Sequence, residues 1–250
     1  MALATRAPIR NAAPELALPP LFTAVRLREL GDAFAHAQAI AVESGAGTLV
    51  HVGRFDVAEF ALVLEPEEPL RGARRAFYAG MAALADALTS LAAPETAIGI
   101  EWPDALYVNY GLVGGGRLAW PAKAREDEVP PWLVFGGTIR LVSMTGLEPG
   151  ARPNDTALED EGFGSMTADG LIESFARHFL VAIDAWQESG FQAVARAYLP
   201  RLAAGKGLRR DIADNGDLNV RPVTGKAERK QLVPALASPS WLSSLAPRSE

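Results

Sequence analysis

The 250-residue sequence contains no cysteine. Disulfides, thiolate metal sites and thioester-forming nucleophiles are thereby excluded. Histidine is scarce, and His36, His51 and His178 lack the spacing of a ligand set, so no metal site is expected. No apolar run approaches the roughly 20 residues that cross a bilayer, and prolines interrupt the N-terminal stretch where a signal peptide needs continuous apolar residues. These absences predict a cytoplasmic protein with no membrane partner. A basic excess is also missing: 24 Lys and Arg against 30 Asp and Glu give a formal charge of −6, which offers nucleic acid no attractive field. Neither a Gly-x-Ser-x-Gly nucleophile turn nor a Gly-Lys-Ser phosphate loop occurs, which argues against generic hydrolase and P-loop chemistry.

What is present suits one substantial core with a small appended module, since 49% of the residues are hydrophobic. Residues 1–20, rich in Ala and Pro, read as an irregular leader. A helix is expected over residues 30–43, ending near Ser44-Gly45, and short apolar strands over 48–52 and 60–64. The clearest helix spans residues 70–91, where Ala73, Phe77, Met81, Leu84, Leu88 and Leu91 recur at spacings of three and four. A second runs on from Thr167, with Leu171, Phe175, Phe179, Ile183 and Trp186 on one face, and a third covers residues 191–199. Strand-like runs alternate with these helices in blocks rather than in strict strand-helix order, so we expect an α+β fold with a mixed, mainly antiparallel sheet flanked by helices. Past Gly205, Asn215-Gly216 between strand-like residues signals a hairpin, hence a small C-terminal β extension over residues 205–250, with the stretch past Trp241 expected to be partly disordered.

The most informative stretch is residues 98–120. A strand, then Trp102-Pro103-Asp104, then Leu106-Tyr107-Val108-Asn109, leads into Gly111 and the run Gly114-Gly115-Gly116-Arg117. Adjacent glycines weaken a strand, so three together imply either a bulging connection or a ligand pressed on the backbone. Gly136-Gly137 inside the strand near residues 132–142 raises the same alternatives. Trp102 and Trp132 fit core positions as readily as ligand walls.

This order of features resembles the biotin/lipoate protein ligase family, in which a Lys-Trp-Pro-Asn-Asp signature precedes a hairpin and a glycine-rich strand. The resemblance covers about residues 21–204 and implies a class II synthetase/biotin ligase-like fold. It also implies the chemistry: ATP with Mg²⁺ activates biotin or lipoate, and the acyl group passes from the adenylate to a lysine of a carrier domain. By this resemblance Glu101, Asp104 and Arg117 would stand at the catalytic positions. Trp102, Gly114, Gly115, Gly116, Gly136, Gly137, Arg54 and Arg140 would line the ligand.

The departures are specific. Glu101 replaces the signature lysine, and the Asn-Asp pair reads Asp104-Ala105. The family's basic glycine-rich loop shrinks to Gly53-Arg54-Phe55, and Arg140 stands where the later glycine strand carries asparagine. Two readings follow. One is a divergent ligase in which Arg54, Arg117, Arg140 or Lys123 supplies the missing charge and Glu101 is turned away by a salt bridge, Arg117 being the first candidate partner. The other is a non-catalytic binder of a biotin-like or lipoyl-like group, or of its carrier domain. The oligomeric state is not expressed in the sequence.

Overall fold

The computed structural model describes residues 15–143, 155–164, 166–203 and 207–245. In chain order it carries β1 (Thr23–Leu27), α1 (Ala33–Ser44), β2 (Thr48–Val52), β3 (Val57–Leu64), α2 (Leu70–Ala73), α3 (Ala76–Leu91), β4 (Ile98–Glu101), β5 (Ala105–Val108), β6 (Gly111–Ala119) and β7 (Leu133–Arg140). There follow α4 (Ala168–Ser189), α5 (Gln192–Tyr198), β8 (Leu208–Ile212), β9 (Leu218–Pro222), β10 (Glu228–Lys230), α6 (Leu232–Leu236) and α7 (Leu242–Leu245). The first seven strands form one sheet in the order β1-β2-β3-β7-β6-β5-β4, parallel at β1/β2 and antiparallel elsewhere. The last three form a separate antiparallel sheet. This is the mixed, mainly antiparallel α+β arrangement expected from the sequence, with its C-terminal β extension.

One face of the large sheet packs on α3 and α4. Helix α3 is buried over most of its surface because its sequence, AFYAGMAALADALTSL, is rich in small residues that let backbones approach. At Gly80 a Cβ would stand 2.4 Å from the Phe135 ring, so glycine is required for this helix to reach the sheet. Phe135 in turn stacks on Phe175 of α4 at 5.6 Å, and Phe60 lies 4.5 Å from Phe175. Helix α4 starts at Thr167, whose hydroxyl accepts the Gly170 amide at 3.1 Å.

The helix expected over residues 70–91 is two helices. At the join, the Phe77 and Tyr78 amides bond back three residues to Arg74 and Arg75, so the turn tightens. The Arg74 and Arg75 side chains occupy the Leu70 and Gly72 carbonyls there.

The opposite sheet face is covered differently. Helix α1, capped by Asp32 at the Ala35 amide, lies on β2, β3 and β7 through Ala33, Ala37 and Ala41. It leaves β5 and β6 to the C-terminal segment. In that segment β10 joins β9, α6 follows, and Leu232 and Trp241 are buried. The β8/β9 hairpin turns at Gly216, whose carbonyl accepts the Tyr78 hydroxyl at 2.6 Å. Asp217 secures the return by accepting from the Leu232 amide, Asn215 and Arg229. Residues 1–14, most of the expected irregular leader, lie outside the described residues.

Candidate functional site

Register places the predicted site residues on two different faces. Across β5, β6, β7 and β3, Ala105, Gly115, Thr138 and Glu59 stand opposite one another in a row, and the next row on that face is Arg117, Gly136 and Ala61. Gly116 and Gly137 form a pair between these rows and point the other way, because strand side chains alternate. Gly115 and Gly136 therefore share the α1 face, while Gly116 and Gly137 belong to the α3/α4 core. The two glycine runs lie side by side in one sheet rather than across a slot.

Each glycine has a physical reason. A Cβ on Gly116 would meet Met81 Sδ at 2.5 Å, and one on Gly137 would meet Phe60 at 2.5 Å. Gly114 has φ +153° beside a register shift between Leu106 and Tyr107, and a Cβ there would stand 2.0 Å from the Thr138 carbonyl. On the α1 face, a Cβ on Gly136 would meet Phe34 at 2.5 Å, and one on Gly115 would meet Trp241 Nε1 at 2.3 Å. Both side-chain-free positions of this face are seats for the protein's own rings.

Arg117 stands between those seats. Its guanidinium lies 4.3 Å from the Phe34 ring centroid, in a stacking arrangement. Its Nε is buried without a hydrogen-bond partner, and among the described residues it makes no ion pair. Burial lowers its pKa, while Asp32 and Glu59 nearby favour its charge. Those two carboxylates are engaged elsewhere: Asp32 caps Ala35, and Glu59 accepts the Ala33 amide at 2.9 Å.

Asp104 is buried at the turn into β5. Ser240 Oγ donates to its Oδ1 at 3.2 Å, and its Oδ2 has no partner among the described residues. Burial pushes its carboxyl up to about 6, partly offset by the Ser240 hydrogen bonds.

The remaining residues lie apart from this centre. Glu101 is exposed and accepts the Tyr107 hydroxyl at 2.8 Å; its expected salt bridge with Arg117 is not formed. Trp102 turns into the core, donating to the Tyr78 hydroxyl at 3.2 Å, with Lys230 6.0 Å from its ring. Arg54 is held by Asp56 at 2.9 Å, which raises its own pKa and lowers that of the aspartate through the hydrogen bond between them. Arg140 donates to the Thr156 carbonyl at 3.3 Å, and Lys123 is exposed in the turn after β6. Sequence reasoning missed Phe34, Glu59, Thr138, Ser240 and Trp241. Period-two counting along β6 and β7 puts Thr138 on the face of Gly136, but nothing local announces that a helix and a distant tail will converge on it.

A model of the Biotin/lipoate A/B protein ligase family matches residues 18–200. The chain belongs to that family. Among solved structures, it is similar to a biotin protein ligase-like protein of unknown function from Silicibacter sp. TM1040, at 28% identity and TM-score 0.76 over 88% of this chain and 98% of that one. Biotin protein ligase from Aquifex aeolicus in complex with biotin and ATP shares the fold at 13% identity and TM-score 0.59, over 83% of this chain and 98% of that one. The Leishmania major enzyme in complex with biotin does so at 14% identity and TM-score 0.53, over 85% and 99%. A search of curated proteins found no match. Among the described residues no group of His, Cys, Asp or Glu could hold a metal ion, and no helix is long and apolar enough to cross a membrane.

Proposed function

We propose that this family member binds a small biotin- or lipoate-type carboxylic acid on the α1 face of its sheet, with Arg117 pairing the carboxylate. The carrying observation is Arg117, half-buried, with its Nε enclosed and unpartnered and with no ion pair among the described residues, Asp32 and Glu59 acting on it only from a distance. A buried cation is costly unless paired, and a planar guanidinium matches a carboxylate in two parallel hydrogen bonds. Thr138, buried beside Gly115 on the same face, offers a hydroxyl to the ligand. The ring of Phe34 holds the guanidinium in place from below.

Adenylation needs more positive charge than this. The two charged groups that act on Arg117, Asp32 and Glu59, are both acidic, so this face offers one cation to a single carboxylate and no second cation for a triphosphate. Arg54 is already tied to Asp56, and Lys123 lies out in solvent. In this reading the protein holds its acid, or that acid already joined to a carrier domain, without activating it.

Family membership favours a second reading, ATP-dependent transfer of the acid to a carrier lysine. Pyrophosphate release with ATP, Mg²⁺ and biotin, lipoate or octanoate separates the two. The binder reading expects the parent to bind the acid, Arg117→Met to bind it more weakly, and neither to release pyrophosphate above a no-acid control. Acid-dependent release by the parent would establish the ligase instead. Release only by Glu101→Lys would identify that carboxylate as the block.

A further inference from the structure

Trp241 is the side chain the family resemblance does not account for. It lies beyond residues 18–200, yet it is fully buried against Ala105, Leu112 and Tyr107 on the sheet face that carries Arg117. Its indole Nε1 lies 2.3 Å from where a Cβ on Gly115 would be, so the ring rests directly on the bare backbone of β6. Ser240, its chain neighbour, is anchored to Asp104. Gly115 and Arg117 are two residues apart on one strand, a separation of roughly 7 Å. The other side-chain-free position, Gly136, holds Phe34.

Resting on the carboxylate reading above, we infer that Trp241 sets the width of the acid: the site accepts an unbranched aliphatic carboxylate and rejects one ending in a fused ring. Arg117 and the indole seat on Gly115 lie on one face of β6 two residues apart, so the chain of an acid paired with Arg117 runs beside the indole. A thin chain passes the ring edge, whereas a fused bicycle would need the backbone seat that the indole already fills. Hydrophobic sites discriminate single groups weakly, but a filled seat excludes a ring sterically.

Isothermal titration at pH 7 of the full chain with octanoate and with biotin tests this. The parent is expected to bind octanoate at least tenfold more tightly than biotin. Trp241→Ala should bring biotin up at least tenfold while octanoate stays within threefold. Trp241→Phe, which keeps a ring on the seat, should preserve the parental order, and Trp241→Leu serves if the alanine variant fails to fold. Equal affinities in the parent, or an unchanged ratio in the alanine and leucine variants with octanoate still binding, would overturn the inference and leave the carboxylate reading intact. A tenfold gain for both acids would also overturn it, since the segment would then block every ligand rather than sort them. Binding of neither acid to any variant would remove the carboxylate reading and this inference together.

Discussion

The two faces of the large sheet treat the same residue type alike and put it to different ends. On the α3/α4 face, Gly116 and Gly137 are covered by Met81 and Phe60, members of one continuous apolar cluster. On the other face, Gly115 and Gly136 are covered by single rings from distant parts of the chain, Trp241 and Phe34, and polar groups stand between them: Arg117, Thr138 and Glu59. A glycine in a strand therefore reports only that something lies close. Whether that is core or site depends on what occupies the neighbouring positions of the same face.

The largest expected effect breaks the register on which both faces depend. Gly114→Ala would place a Cβ 2.0 Å from a backbone carbonyl at φ +153°, and we expect a loss of about 4 kcal/mol or more, read as a sharply lowered melting temperature or insoluble expression. Next, Trp241→Ala should cost about 3 kcal/mol, appearing first as proteolysis of the C-terminal segment while the main sheet persists. Phe60→Ala on the core face should cost a similar amount but lower the unfolding midpoint of the whole domain.

Asp104 sharpens the comparison through pH. Its folded pKa of about 6 lies above the ordinary aspartate value of 3.8, so between these values the native state binds more protons than the unfolded one and stability falls as pH rises. A shift of about two units corresponds to roughly 3 kcal/mol, absent below pH 4 and fully expressed above pH 7. Asp104→Asn should therefore stabilise the protein by about 2–3 kcal/mol at pH 8 and have little effect near pH 3.5, measured by urea unfolding at the two pH values. The smallest effect is expected at Glu101. Its carboxylate is exposed and, among the described residues, bonded only to Tyr107, so Glu101→Gln should change stability by no more than about 0.5 kcal/mol.

The fold was legible where periodicity is strong. The spacing of Phe77, Met81, Leu84 and Leu88 marked α3, the run through Leu171, Phe175 and Phe179 marked α4, and Asn215-Gly216 marked the β8/β9 turn. The break at Arg74-Arg75, where the two guanidinium groups bond the Leu70 and Gly72 carbonyls, was not, because no hydrophobic period encodes it. At the site, Arg117 after three glycines was visible in the sequence. Its surroundings were not: Phe34 and Trp241 lie on segments more than 80 residues before it and more than 100 after it, and only the sheet register brings them to one face. The burial of Trp241 was not legible for the same reason. Trp241 is buried by a surface that only the folded sheet presents.

The central claim is that Arg117 reads a carboxylate. It is tested most directly by titrating the parent and Arg117→Met with an acid and with its primary amide, at pH 7 and in low salt. Octanoate and octanamide serve, since they share the aliphatic chain and differ in the charged group. A charge-assisted pair contributes about 1.5–3 kcal/mol, so the parent should favour the acid by roughly 10- to 150-fold. That preference should vanish in Arg117→Met, with the amide's affinity little changed. Equal binding of acid and amide by the parent, or an acid preference that survives in Arg117→Met, would contradict the account.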